Sequence, residues 1–381
     1  MKIGIIGYST SEFGELWERS PRDLASEVMR SALSSFHIDK KNIDALYVGN
    51  MLSGILGNQA NLSSLYAEEL GVGVASVRVE AACASGSVAL HNAIQGVKSG
   101  TYKTVMVLGI EKMTDHPQDE VVAGLMAAGS DEERGSGITF AGLYALMAVS
   151  YMEKYKITEE ELASIPVKNH FHGSFNPKAQ FQNIITIDQV MRSAKVADPL
   201  KLLDCSPISD GASCVVISSD PKLLKKGSVQ IVASQIGTSS VGLCGREDLT
   251  SLSSAVMASK KAYAQARVKP DQISVAEVHD CFSIAEAIAL EDLAFSKRGM
   301  GVIDVMEGKV TLGTGKLIVN PSGGLKACGH PVGATGIKQI IEITQQLEGK
   351  AGKRQVKNAS IGLTHNVGGS GAVAAVHILR I

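Results

Sequence analysis

"HDCFSIAEA", His279 to Ala287, sets an imidazole, a carboxylate and a thiol side by side at the mouth of a helical pattern. Alone the stretch is ambiguous, because a cysteine beside a phenylalanine also serves as a small buried hydrophobe. In "VEAACASGSVAL", Cys83 stands where an apolar strand turns into a helix through small residues. That position points the sulfur at a helix N-terminus, where the dipole and free N–H groups favour thiolate, so its pKa is expected to fall. The segment equally allows a packed structural thiol. In "ACGHPVGATG", His330 stands at a second Gly-rich turn into a helix, and "GGSG", Gly368 to Gly371, adds a tight turn able to present N–H groups to an oxyanion. If two halves of the chain pack with approximate two-fold symmetry, the two helix starts converge and His330 reaches Cys83. Thiol, base and amide donor then form an acyl-transfer site.

The elements needed to bring these residues together can be read from periodicity. "IDALYVGNML" and "KTVMVLGIEKM" have the continuous apolar character of buried strands, and "SPRDLASEVMRSALSSF" and "SGSVALHNAIQGVKSG" have helical spacing. The order repeats later: "ISVAEVHDCF" reads as a strand, "HPVGATGIKQIIEITQQL" as a Gly turn into a helix, and "NASIGLTHNVGGSGAVAAVHIL" as strand, turn and strand. A duplicated α/β unit follows, which suits 381 residues with 39 glycines. Between Asp115 and Pro199 the pattern breaks into polar, Gly-containing stretches around one helix, "LYALMAVSYMEKY", as a loop insertion over a site would.

Composition excludes several classes. Lys and Arg number 37 against 38 Asp and Glu, with no long run of one sign, so no nucleic-acid track or polybasic membrane anchor is expected. The six cysteines form no C-x-x-C pair or zinc-ribbon spacing and read as free thiols of a reducing compartment. "MKIGIIGYS" enters an apolar strand with no signal-peptide pattern, and no apolar run approaches the roughly 20 residues of a membrane span. A cytoplasmic location is the expectation. "GIIGYS" lacks dinucleotide-turn spacing, and "LGTGKL" lacks the Ser or Thr after Lys316 that a P-loop needs. "HFHG" offers His170 and His172 without a third ligand, so the pair is read as loop histidines and no metal is expected.

"AACASG", "SDGASCVV", "HDCF", "NPSGG", "GHPVGATG" and "NVGGSG", in this order from end to end, resemble the thiolase family. The resemblance implies the five-layer αβαβα fold: two similar core domains, the first interrupted by a loop domain. The domains then run 1–114 and 200–226 for the N-terminal core, 115–199 for the insertion on the CoA side, and 227–381 for the C-terminal core. Many members carry N-E-A-F and a late C-x-G; here His279, Asp280, Cys281 and Phe282 stand at the first place and Asn366, Val367 and Gly368 at the second. That combination is similar to the sterol-carrier-protein-2 type and the archaeal acetoacetyl-CoA thiolases, in which the cysteine of H-D-C-F replaces the late one.

The resemblance implies an acetyl-CoA C-acetyltransferase that condenses two acetyl-CoA into acetoacetyl-CoA, or the reverse, with the CoA thioester as substrate and no cofactor. It implies Cys83 as the acyl carrier, His330 as its base and Cys281 as the acid/base at Cα. The N–H groups of Cys83 and Gly368 would serve the tetrahedral oxyanion, and His330 with His279 the enolate. Asp280 has no chemical role in this reading, Tyr144 on the insertion's helix touches substrate, and Cys328, just before His330, packs. A dimer or tetramer is expected, along with hydroxymethylglutaryl-CoA synthase and a zinc-ribbon/OB-fold protein as partners on an isoprenoid (mevalonate) route. Other readings are a longer-chain 3-ketoacyl-CoA thiolase, a ketoacyl-synthase-like condensing enzyme built on Cys83, His279 and His330, or a structural subunit. A hydroxymethylglutaryl-CoA synthase would need a glutamate base that these motifs lack. No appended lipid-transfer domain is expected, and "HILRI" does not read as a peroxisomal address.

Overall fold

The computed structural model describes residues 1–381. The N-terminal half runs β1 (Gly4–Thr10), α1 (Pro21–Ser34), β2 (Ala45–Gly49), α2 (Leu62–Leu70), β3 (Ala75–Val79), α3 (Ser85–Lys98) and β4 (Thr104–Glu111). An insertion follows with α4 (Gln118–Met126), α5 (Asp131–Ser136), α6 (Phe140–Tyr155), α7 (Glu159–Leu162), α8 (Ser164–Gly173), α9 (Ile187–Arg192), β5 (Lys195–Ala197) and β6 (Leu200–Lys201), before β7 (Gly211–Ser218) returns to the core. The C-terminal half has β8 (Gln230–Thr238), α10 (Ser253–Ala266), β9 (Val275–Glu277), α11 (Ser283–Asp292), α12 (Gly301–Met306), β10 (Ile318–Val319), α13 (Gly324–Cys328), α14 (Val332–Leu347), β11 (Ile361–Gly368) and β12 (Val373–Arg380).

The local rules behind these elements are visible in the residues. Every residue of β4 and β7 is buried, as continuous apolar runs covered on both faces require. Helix α1 starts at Ser20 with a reciprocal capping box to Asp23 and Pro21 in its first turn. The strands form one ten-stranded sheet with β1 and β8 at its centre. Moving outward, the neighbours are β7, β4, β2, β3 on one side and β12, β11, β9, β10 on the other. Strand directions match as well: β2 is parallel to β3 and β4, as β9 is to β10 and β11, and the remaining pairs within each half are antiparallel. The doubling expected from the sequence is therefore a doubling of strand order and direction.

The two halves of the sheet enclose α3 and α14, whose apolar residues join both inner faces in one core. Helices α1 and α2 cover the outer face of the first half, and α10 and α11 that of the second, which makes five layers. Each fully buried Ile or Leu of α14 (Ile337, Ile340, Leu347 among them) contributes about 1.5–3 kcal/mol. The starts of α3 and α14 touch because glycines let the backbones meet. A Cβ on Gly86 would come 2.6 Å from the Gly333 carbonyl, and one on Gly333 would come 2.5 Å from that of Ile110.

Two sequence expectations are corrected. The insertion holds six helices, α4 to α9, where one was expected among loops. His170 and His172 lie on α8, buried, with Nδ1 atoms 3.0 Å from the Asn183 and Asn320 carbonyls, so they are packed helix residues and not a loop pair. No helix is long and apolar enough to cross a membrane.

Candidate active site

Cys83 sits on a sharp turn between β3 and α3. Ala82 takes a left-handed backbone (φ 50°), a conformation costing a non-glycine residue on the order of 1–3 kcal/mol. The turn is held by Ser85, whose hydroxyl donates to the Ala82 carbonyl (2.6 Å) and accepts from the Ala81 N–H (2.9 Å). His330 occupies the matching turn before α14, its N–H donating to Ser209 Oγ (3.0 Å) and its Nδ1 lying 2.8 Å from Thr335 Oγ1. His279 and Cys281 follow β9, which ends at Glu277, so H-D-C-F is the loop from strand to α11 and not the strand's end.

Asp280 explains how that loop is held. Its buried carboxylate accepts N–H groups of Leu325 (2.6 Å) and Lys326 (3.2 Å) at the start of α13 and the Asn169 side-chain amide (2.7 Å). Asn169 also donates to Glu286 (2.7 Å), which pairs with Lys168 (2.6 Å) and accepts from Asn320 (2.9 Å). This buried polar network joins α8, the H-D-C-F loop, α11 and the "NPSGG" turn. Of its members only Asp280 stands out in the sequence, as a carboxylate without a chemical role that orients its loop, and these bonds hold the loop as that reading expects.

The ligating atoms of Cys83, His279 and His330 all lie within 4.8 Å of one another, and the two rings meet at 5.0 Å between centroids and 82° between planes. A zinc ion placed there would need the Cys83 thiolate and both imidazole lone pairs. Cys83, Cys281, His330, Tyr144, Phe282 and Met113 line one cavity of about 110 Å³. Tyr144 is buried, stacks on Phe282 with centroids 4.7 Å apart and donates to the Gly369 carbonyl (3.1 Å). Cys328 faces elsewhere, packed with Phe13, Ala179 and Ala334, and accepts from the Asn176 amide at 3.6 Å.

The N–H of Gly369, in the turn after β11, acts on the Cys83 sulfur together with that of Cys83 itself. One further expectation changes. The Cys83 thiol is not lowered: burial pushes it up to about 12, against the smaller pull of the Gly369 and Cys83 N–H groups. Burial likewise pushes Cys281 well above the ordinary thiol range, holds His330 down at about 3, and keeps His279 well below the usual imidazole range. The resting site is thus two protonated thiols and two neutral imidazoles.

The family model of the thiolase N-terminal domain matches residues 3–221, and that of the thiolase C-terminal domain-like family matches residues 237–381. An acetyl-CoA acetyltransferase of Methanothermobacter thermautotrophicus is 45% identical over 379 residues, covering 99% of this chain and 98% of that protein. Human sterol carrier protein 2 is 34% identical over 394 residues, covering 98% of this chain and 71% of that protein. Among solved structures, the Ltp2-ChsH2(DUF35) aldolase superposes with a TM-score of 0.86 at 23% identity, covering 100% of this chain and 97% of that chain.

Proposed function

This chain belongs to the thiolase family, and we propose that it is an acetyl-CoA C-acetyltransferase, joining two acetyl-CoA into acetoacetyl-CoA or running the reverse thiolysis through an acyl group on Cys83. The observation that carries this reading is the meeting of Cys83, Cys281 and His330 in one small cavity.

Because both thiols rest protonated, the proton path follows from balance. His330 takes the Cys83 proton, the sulfur attacks the acetyl carbonyl, and the oxyanion faces the N–H groups of Cys83 and Gly368. The departing CoA thiolate takes the proton of Cys281 and leaves as CoA thiol. Cys281, now a thiolate, removes a methyl proton from the second acetyl-CoA. The enolate oxygen is met by protonated His330 and by His279, and its carbon attacks the acetyl group on Cys83. Collapse releases the Cys83 thiolate, which recovers its proton from His330, and every group returns to its starting state.

The reading includes a cytoplasmic enzyme with no cofactor beyond the CoA thioester, assembled as a dimer or tetramer and supplying an isoprenoid (mevalonate) route. It also includes binding to hydroxymethylglutaryl-CoA synthase and a zinc-ribbon/OB-fold protein. Assays of acetyl-CoA condensation and acetoacetyl-CoA cleavage, with peptide mass analysis after acetyl-CoA treatment, test the core of it. Turnover with an acetyl adduct on Cys83 is expected; an adduct confined to Cys205, Cys214 or Cys244 overturns the mechanism. Light scattering and pull-down with the two partner types test the assembly, a strict monomer or a failure to bind counting against it.

A further inference from the structure

His330 and His279 face the same site but are held by partners of opposite character. His330 Nδ1 lies 2.8 Å from Thr335 Oγ1, and that hydroxyl also lies 3.1 Å from the Pro331 carbonyl, one turn earlier in the chain, which can take its single proton. A threonine hydroxyl inside a helix commonly donates in this way. With its proton so used, Thr335 Oγ1 can only accept, so Nδ1 of His330 carries the ring hydrogen and Nε2 keeps a bare lone pair.

His279 is the reverse case. Its Nδ1 lies 3.0 Å from the side-chain nitrogen of Asn366, which donates and has no lone pair to offer. Nδ1 must accept, and the hydrogen sits on Nε2. Helix α14 sets the orientation of the Asn366 amide. Its Oδ1 lies against Gly336, where an added Cβ would come 2.5 Å from it, and a Cα–H there receives an oxygen better than an NH2 group. Neither Nε2 has a partner within the protein, and burial keeps both rings neutral.

We infer that Thr335 and Asn366 are positioning residues that lock the two adjacent imidazoles in opposite tautomers, His330 as a bare base beside Cys83 and His279 as a standing N–H donor to the enolate oxygen. The roles rest on the acyl-transfer reading above; the tautomers do not. With both rings bare at Nε2, the enolate oxygen would meet a lone pair. With both protonated there, Cys83 would have no base. The pairing also works through the cycle, since His330 becomes a second donor only after it has taken the Cys83 proton.

Nitrogen-15 spectra of histidine-labelled protein, assigned by single His→Gln substitutions, test the tautomers directly. His330 as the Nδ1–H form and His279 as the Nε2–H form is the expected result, and one tautomer shared by both rings overturns the inference, whether or not the enzyme is active on acetyl-CoA. The roles are tested by half-reactions. Asn366→Leu should acetylate Cys83 at the wild-type rate while carbon–carbon bond formation falls about 10²–10³-fold, the loss of one preorganised donor. Thr335→Val should slow acetylation and shift its pH profile, with Thr335→Ser restoring both. An Asn366→Leu enzyme that condenses at the wild-type rate, or a Thr335→Val enzyme with unchanged acetylation, overturns the assignment.

Discussion

The middle strands of the two halves reach the site at matching places, and their polar residues are used differently. At the ends of β2 and β4, Asn50 donates to Glu111 (2.8 Å), which also accepts from the N–H groups of Met51 (3.0 Å), Leu52 (3.0 Å) and Gly333 (3.1 Å). Every polar atom of this pair has a partner, and the pair anchors the start of α14 to the first half. At the ends of β9 and β11, His279 and Asn366 make the corresponding pair at 3.0 Å, yet His279 Nε2 is left without a partner. Asn366 Oδ1 is likewise unpartnered, so one scaffold yields an anchor where the bonds close and a reactive group where they are left open. The same contrast holds one step outward, where the start of α3 delivers Cys83 and that of α14 its base.

If the halves divide the work in this way, the largest effects come from removing the thiols, one from each half. Cys83→Ala removes the acyl carrier and should lower condensation by about 10⁴-fold or more, with no covalent acetyl on the site. Cys281→Ala should still take an acetyl group onto Cys83, because that half-reaction can proceed with water returning the proton to CoA, while carbon–carbon bond formation falls by about 10²-fold or more. Single-turnover acetylation followed by condensation separates the two. A Cys281→Ala enzyme that condenses normally would move the second acid/base out of the C-terminal half.

A smaller effect follows from the buried imidazoles of the C-terminal half: His279, His330, His365 and His377 are all buried, the last three held at about 3, 4 and 3. His37 and His91 of the N-terminal core are not buried. Because these folded-state values lie below the ordinary 6.5, the unfolded chain binds more protons as pH falls, and stability is lost between about pH 6.5 and 4. Each such histidine adds up to about 1.4 kcal/mol per pH unit to that slope. Urea titrations across this range should show the loss, and His377→Gln should flatten the slope by close to one proton. An unchanged slope would mean that His377 is not buried neutral.

How much of this could be read from the residues differs by the distance over which each feature is set. The Cys83 and His330 turns were legible because small residues before an apolar 3.6-residue pattern specify a strand-to-helix turn locally. The doubled order of strands was legible for the same reason. In the insertion, glycine and charge mimic loop signals, and the helices show instead in the capping boxes of Ser130 with Glu133, Thr158 with Glu161 and Thr186 with Gln189. The direction of the Cys83 shift depends on burial by Tyr144, Phe282 and Met113, from segments far along the chain, which outweighs the helix terminus. Thr335 and Asn366 carry no signal at all until the fold sets them against the two histidines.

The smallest effect is expected at Cys328, two residues before the base and on the same half as Cys281. Proximity in sequence would make it a candidate acid/base, but α13 and Gly329 separate it from the cavity. Gly329 has φ of 107°, so the chain turns sharply between the thiol and His330 and sends the two side chains to different sides. The sulfur ends among Phe13, Ala179 and Ala334, and its one polar contact is with Asn176. Cys328→Ala should therefore cost about 1 kcal/mol of stability from the small void it leaves, with acetylation and condensation both near wild type. The informative measurement is the ratio of the two half-reactions, because a packing defect lowers both together. A selective loss of condensation in Cys328→Ala, with normal condensation in Cys281→Ala, would transfer the proton-handling role to the α13 turn and undo the contrast between anchored and open strand ends.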